Sequence, residues 1–487
     1  MINLLITIGV KEVFIGIGIL LVGLILVLLI KAICFKDKTN YRVNAKEVET
    51  PKDDIVYKLG ELIKIPTVSH EDETLIDFSQ YDKYLEKVKE LYPTVFKHCE
   101  FEYTKDRVFK FKLKGQSSEK PTVLMAHYDV VPVTEGWKHD PFLGEVVDGH
   151  LFGRGTLDTK NTMACALSAL EKELEKGYIP KNDLYLTFGS NEEICGNAQY
   201  NMVQEFERQG IKPYLVFDEG GGVLSNAFPG VSKDIAFLGM VEKGMVNFVL
   251  SYDGNGGHSS SPKKNGPAIR LAKALIRLEK HPMKPKLTRT VKETLRVMGM
   301  NAIFPLKIVF GNMWLFKGLV TKLLPVLGAD TRALVSTTFA FTILNGGNQG
   351  NVIPNHVEAN VNARIAPFNT IDEVEEHIRK VIKDDKIKIT RSYQYQNTKE
   401  CDYEHPGYSL IKEVTIETYP DTLVAPFVMI GGTDAKHYSQ ISDCVIRFSP
   451  MKISNQDRKG IHGLNEQISV ESLNKCLEFY HRLLSKI

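Results

Sequence analysis

The pattern of apolar and polar positions divides the chain into stretches of different character. From Val13 to Ile30 no charged residue interrupts a run of mostly Leu, Ile, Val and Gly, about the minimum length that crosses a bilayer. A secretory leader has a shorter apolar run and a small-residue cleavage site. Here the run passes into Lys31-Ala-Ile-Cys-Phe-Lys36, which offers no such site. The pattern therefore predicts a retained single-pass transmembrane anchor over residues 1–36, and the polar residues 37–50 read as a linker. A helix is expected over Asp53–Ile63.

Beyond the linker, strand-like runs end in polar clusters. Pro121–Ala126 runs into His127, Asp183–Phe188 into Gly189-Ser-Asn-Glu-Glu193, and Tyr214–Phe217 into Asp218-Glu-Gly-Gly221. Between the first two, Thr162–Lys176 has helical spacing and good helix formers. Strands alternating with helices predict an α/β fold, in which function collects beyond the carboxyl ends of the strands. A second unit begins near Met240. Strands are expected over Val241–Tyr252, Thr337–Leu344, Val352–Arg364 and Ile387–Tyr393, with helices over Gly266–Glu279 and Thr370–Lys383. After about Gln396 the chain returns to the first unit, with a strand over Val445–Ser449 and a closing helix over Ser469–Lys486. The expected organisation is a catalytic domain over 51–239 and 397–487, interrupted by a small α+β domain over 240–396 that itself carries a long insertion at about 281–336. Within that insertion Ala302–Ala329 is strongly apolar, with Lys307, Lys317 and Lys322 as its charges. One reading is a helical pair packed on the inserted domain. The other is an interfacial surface or acyl-chain pocket, because basic amphipathic helices favour bilayer headgroups.

Composition refines this picture at a few points. The 487 residues suffice for two domains. The formal net charge of +2 gives no electrostatic case for nucleic acid. Seven cysteines (Cys34, Cys99, Cys165, Cys195, Cys401, Cys444, Cys476) form no CxxC pair. They fit a reducing compartment or buried thiols better than a disulfide framework. Positive charge follows the apolar run, at Lys31, Lys36, Lys38 and Arg42, against Lys11 before it. The positive-inside rule then puts the large domain in the cytoplasm.

The polar clusters carry the candidate chemistry: His127 and Asp129 after one strand, Asp158 in the Gly-bearing loop Gly153-Arg-Gly-Thr-Leu-Asp158, Glu192 and Glu193 after the next strand, Asp218 after another, and His462 in the late loop Gly460-Ile-His-Gly-Leu-Asn465. Several carboxylates facing one crevice repel one another unless something neutralises them. A pair of divalent cations does so. Imidazole and carboxylate donors without thiolate suit zinc, and also cobalt or manganese. Two such ions about 3.5–4 Å apart share a water, lower its pKa and polarise a carbonyl. One carboxylate must stay free as general base.

These motifs resemble the M20 family of metallopeptidases. The matching segments are Met125-Ala-His-Tyr-Asp-Val-Val-Pro132, Gly153–Asp158, Ser190–Glu193, Phe217–Gly221, Gly256-Gly-His-Ser-Ser-Ser-Pro262, Gly350-Asn-Val-Ile-Pro354 and His462. They occur in family order and cover nearly everything after the linker. The Tyr-Asp-Val-Val-Pro and Asp-Glu-Gly-Gly forms are most similar to the carboxypeptidase S and N-acyl amino acid hydrolase branch. The resemblance implies a zinc-peptidase-like catalytic domain with a mostly parallel mixed sheet, an inserted lid that also dimerises, and two zinc ions per subunit. His127 and Asp218 would bind one ion, Glu193 and His462 the other, and Asp158 would bridge them. Asp129 would orient His127, and Glu192 would be the general base. His258, reaching a partner subunit's site, would stabilise the oxyanion, with Asn351 in support. Arg364 would clamp a substrate carboxylate, and Gly432 and Thr433 would shape the pocket. The long insertion and the anchor depart from the family pattern.

The expected reaction is hydrolysis of an amide or peptide bond beside a free carboxylate, in N-acyl amino acids or short peptides. Two alternatives stay open. One is an aminopeptidase or deacylase of another small amide. The other is a membrane-tethered binding protein on an inactive hydrolase fold, which predicts damage to the ligand set or to Glu192, and the sequence carries none.

Overall fold

The computed structural model describes residues 2–39, 48, 52–454 and 456–487. Most of the expected linker, residues 40–47, 49 and 50, lies outside them, as does Arg42. Helix α1 spans Ile2–Cys34. Within its segment Lys11–Cys34 an 18-residue stretch has a mean hydropathy of 3.3, and Phe14 and Leu20 are 69% and 74% exposed. Its last turns touch the rest of the protein. Asn312 Nδ2 donates to the Leu28 carbonyl at 3.0 Å, the Lys31 ammonium lies 5.3 Å from the Trp314 ring centre, and Ala32 is buried.

The large mixed sheet holds β1 (Glu100–Tyr103), β2 (Phe109–Leu113), β3 (Ser117–His127), β4 (Asn182–Gly189), β5 (Leu215–Asp218), β6 (Gly222–Leu224) and β7 (Ile235–Glu242). At its centre β4, β3 and β5 run parallel side by side. Both faces of these strands are covered, so they read as continuous apolar runs. Leu124, Ala126, Leu184 and Leu186 share a core with helix α2 (Lys160–Glu175) and the closing helix Val470–Leu484. Val123, Met125 and Tyr185 point the other way, onto helix α3 (Ala198–Arg208).

A smaller antiparallel sheet has the order β9-β10-β8-β11, with β8 (Gly244–Asp253), β9 (Thr338–Asn345), β10 (His356–Ile365) and β11 (Lys388–Tyr395). Alternate residues of β10 are buried, as one covered face requires. Val357, Ala359, Val361 and Ala363 pack with Leu271 and Leu278 of the helix Pro267–Lys280 and with Val374 and Ile378 of the helix Ile371–Ile382. The sequence predicts one strand over Val241–Tyr252; the structure has two, β7 in the large sheet and β8 in the small one. Only Lys243 stands between them. Its buried ammonium donates to the carbonyls of Ala333 and Ser336 at 3.0 and 2.8 Å, which turns the chain from one sheet to the other.

After β11 the chain returns to the large sheet. β12 (Leu423–Met429) pairs parallel with β7, β13 (Val445–Arg447) parallel with β5, and β14 (Lys452–Ile453) parallel with β6.

The insertion forms four helices: α4 (Arg289–Met300), α5 (Phe304–Gly311), α6 (Met313–Leu327) and α7 (Ala329–Val335). The expectation that it packs on the small domain is corrected. Val291, Leu295, Met298, Phe310, Val320 and Leu324 belong to the core of the large domain and not to that of the small sheet. The Thr294 hydroxyl on α4 donates to the carbonyl of Pro426 on β12 at 2.5 Å.

Candidate active site

Because β3, β4 and β5 are parallel neighbours, their carboxyl ends deliver His127, Glu192, Glu193 and Glu219 to one place. Asp158 comes from the loop before α2, and His462 from a loop before the closing helix. The two Asp158 carboxylate oxygens face different histidines. Oδ1 lies 3.1 Å from His127 Nε2, and Oδ2 lies 3.1 Å from His462 Nε2. His462 Nε2 is also 2.9 Å from Glu193 Oε2. His127 Nε2 is 3.4 Å from Glu219 Oε1 and 4.0 Å from Glu192 Oε2. Six acidic or imidazole groups thus form two lobes joined by Asp158.

Asp218 is the exception among the expected ligands. Its Oδ1 accepts from the Glu219 amide at 2.9 Å and its Oδ2 from the Ala435 amide at 3.0 Å. Its carboxylate secures the backbone, and the next residue, Glu219, faces His127. Of the two neighbouring carboxylates, Glu219 lies nearest His127 Nε2, at 3.4 Å, while Asp218, expected beside His127, holds two backbone amides. Asp129 lies against the His127 ring, with its carboxylate Oδ1 3.4 Å from His127 Nδ1. Its backbone carbonyl, 3.0 Å from His127 Nδ1, fixes that nitrogen as the donor and leaves Nε2 for the cluster. Its carboxylate oxygens accept from the Glu192 and Glu193 amides at 3.1 and 3.2 Å.

The electrostatics of the cluster follow from burial and like charge. Burial, reinforced by Asp158, pushes Glu193 up to about 7 and Glu219 up to about 8. Burial also raises Glu192 well above the carboxylate range, against the pull of His127, with Asp434, Glu219 and Glu193 adding to the rise. Hydrogen bonds to Asp158 and Glu193 lift His462 to about 10. Glu193 Oε1 is buried without a hydrogen-bond partner. A buried oxygen left unpaired is costly, and crowded carboxylates with two imidazoles are a donor set for hard or borderline divalent cations. The residues fit a two-metal site.

Asp158, Glu192, Glu193, Glu219 and His462 of the cluster line a cavity of about 690 Å³. Arg364 and Tyr395 of the small sheet line it too, with Gly432 and Thr433. Arg364 Nη1 donates to the Tyr395 hydroxyl at 3.5 Å. Gly432 lies so close to that hydroxyl that a Cβ would meet it at 2.6 Å. Most of the remaining wall is apolar: Leu224, Phe228, Phe237, Leu295, Met298 and Leu324 are among its residues. His258 and Asn351 do not line the cavity. They sit together on the small domain, where Gly257–His258 pairs with Val352–Ile353 and the Ser259 amide donates to the Asn351 carbonyl at 3.1 Å. Both are exposed.

Two supporting residues have no motif that marks them. Glu466 is buried and accepts from Arg154 at 2.7 Å and from the Gly155, Leu157 and Asp158 amides at 2.7–3.1 Å. It shapes the loop that presents Asp158. Glu242 accepts from Arg447 Nε at 2.9 Å and from the Thr433 amide at 3.2 Å, so it holds the Gly431–Asp434 loop at the cavity wall.

This fold and site define a hydrolase of the metallopeptidase class. The model of peptidase family M20/M25/M40 matches residues 123–486, and the chain belongs to that family. Among similar proteins, "Probable carboxypeptidase S-like 2" of Dictyostelium discoideum is 32% identical over 96% of this chain and 92% of its own length. The mouse "N-fatty-acyl-amino acid synthase/hydrolase PM20D1" is 34% identical over 86% of this chain and 84% of its own. Among solved structures, an M20 family metallo-carboxypeptidase from Sulfolobus solfataricus superposes with a TM-score of 0.66 at 20% identity, covering 88% of this chain and 98% of that one. The chain is an enzyme, a metallopeptidase or carboxypeptidase, or a hydrolase like its N-fatty-acyl-amino acid relatives.

Proposed function

We propose that the protein hydrolyses the amide bond of N-acyl amino acids at a two-zinc site, with short peptides bearing a free C-terminus as the second substrate class. The observation that carries this reading is the cavity itself. It is lined by the acidic cluster, by the Arg364 guanidinium (Arg458, also on the wall, is paired with Asp330) and otherwise by mostly apolar residues. His127 and Glu219 would hold one ion, His462 and Glu193 the other, with Asp158 between; cobalt or manganese would satisfy the same donors. Two bound divalent ions would polarise the scissile carbonyl and make water more acidic. Glu192, the carboxylate left over, accepts the proton of the attacking water and passes it to the leaving amine nitrogen. Arg364 pairs with the substrate carboxylate through its planar fork, while Gly432 leaves the pocket open beside Tyr395. His258 and Asn351, outside the cavity, would complete an oxyanion site only in a homodimer that brings them to a partner subunit. Helix α1 is read as a membrane anchor because an apolar helix this exposed is not stable in water.

The test is hydrolysis of N-oleoyl, N-acetyl and dipeptide forms of one amino acid by the full chain, after chelation and after zinc is restored. Zinc-dependent cleavage favouring the oleoyl compound is expected. Preference for the dipeptide would make the enzyme a carboxypeptidase, and no cleavage of any of the three would sink the reading.

A further inference from the structure

Helix α6 has two apolar sides. Leu324 points inward and lines the cavity, and Val320 is buried in the large core. Leu315, Leu319, Leu323 and Val326 recur at helical spacing on the other side and are 44–77% exposed. Trp314, at the start of the helix, is 58% exposed, and Ile303 and Phe304 of the neighbouring α5 segment are exposed as well. A patch of this kind on a protein in water marks a contact with something apolar.

The position of α1 says what that contact is. The α5–α6 turn is bonded to α1 through Asn312 and the Leu28 carbonyl. Leu28 lies six residues before the end of α1, so at 1.5 Å per residue the turn sits about 9 Å below the helix end. The uncharged run Val13–Ile30, 18 residues, is about 27 Å long against a hydrocarbon core of about 30 Å, and Leu28 lies two residues from its end. When α1 spans a bilayer, the α5–α6 turn is therefore at the depth of the headgroup and acyl boundary. Exposed Lys317 and Lys322 on α6, with Lys31 and Lys36 on the anchor, supply cations at the same level.

We propose that the exposed face of α5 and α6 is a second membrane contact, embedded in the leaflet from which α1 emerges, so that α6 forms the partition between the bilayer and the substrate cavity. The inference rests on α1 being an anchor. A bilayer, and not another copy of the chain, is the occupant, because the patch is continuous with the lipid-exposed surface of α1 and lies at its depth.

Trp314 is the probe. The full chain and its Trp314→Phe variant are reconstituted in nanodiscs of phosphatidylcholine and phosphatidylserine, with or without dibrominated phosphatidylcholine. The difference in fluorescence between the two chains is the Trp314 signal. A severalfold loss of that signal in brominated discs, with shielding from aqueous iodide, is expected. Leu319→Glu with Leu323→Glu should restore the signal and leave hydrolysis of the N-acetyl substrate unchanged. Quenching by iodide and not by bromine would overturn the proposal, as would quenching that survives the double substitution. Shielding from both quenchers would mean that a second copy covers the face, and would overturn it too. Alkaline carbonate separates this failure from failure of the anchor. Extraction of the chain sinks both readings; retention with an unquenched Trp314 sinks the docking alone. None of these readouts depends on turnover, so they stand apart from the hydrolase reading.

Discussion

Adjacent carboxylates at two strand ends divide their work by direction. Glu192 and Glu193 leave β4 with their amides held by one Asp129 carboxylate, which fixes the backbone and lets the two side chains diverge. Glu192→Ala should lower turnover by at least about 10²-fold while metal analysis still finds two ions per chain. The pair Asp218 and Glu219 gives a sharper contrast. Glu219→Ala should lose one ion and nearly all activity. Asp218→Asn should keep both ions and lose stability, because two backbone amides lose a charged acceptor. The reverse pattern in metal analysis would return the ligand role to Asp218. The sequence locates both residues at a strand end, and period-two alternation says only that they point apart. Which one faces the crevice depends on the amides of Glu219 and Ala435, and Ala435 is more than two hundred residues away. Glu466 is hidden for the same reason. Its partners in the Asp158 loop meet it only after the chain has folded back.

At the scale of elements, Lys243 joins the two sheets and carries a pH signature. Burial, with Arg364 nearby, lowers its pKa to about 7, whereas an unfolded lysine titrates at about 10.4. Between these values the unfolded chain holds the extra proton, so stability rises with pH across the window. The contribution approaches about 1.4 kcal/mol per pH unit. Lys243→Met should flatten that slope in denaturant titrations at two pH values within the window. It should also cost about 1–3 kcal/mol for each carbonyl, of Ala333 and Ser336, left unpaired. An unchanged slope would show that the lysine stays charged in the folded state. The cavity wall makes a second element-scale prediction. Ala227 lines the cavity beside Phe228, and Ala227→Trp should raise KM for the oleoyl substrate by about tenfold, within the range expected for apolar pocket contacts, and spare the acetyl one. Equal effects on both would mean that the acyl group lies elsewhere. Strand and helix periods in the sequence mark these elements to within a few residues, as with α2 and β10. They do not say that α4 leaves the small sheet to pack on β12, because an apolar face carries no label for its partner.

For the whole molecule, the site is a concentration of negative charge, with Asp158, Glu192, Glu193 and Glu219 gathered around two imidazoles. Chelation should lower the melting temperature, and zinc should restore it. Free zinc at about 1,000 times its dissociation constant adds about 4 kcal/mol to the folded state. A melting curve indifferent to chelation would mean that the carboxylates are neutralised by protons instead. The broad architecture is legible in the sequence because its signals are local: an uncharged apolar run, strands that end in polar clusters, and motifs in a fixed order. How the insertion, the anchor and the cavity share one side of the molecule is not, since it arises from contacts between distant segments.

The bond between Asn312 and Leu28 has a kinetic consequence. A catalytic unit joined to its anchor only through a loose linker would sample a hemisphere of solution. With α1 spanning a bilayer as proposed, a unit clamped at its base is held at a fixed height, like a boat at a mooring post, and meets amphiphilic substrates by lateral diffusion. Its rate should then follow the mole fraction of substrate in the lipid and not the amount in the tube. Diluting the membrane with inert lipid, at constant total substrate, should slow the enzyme.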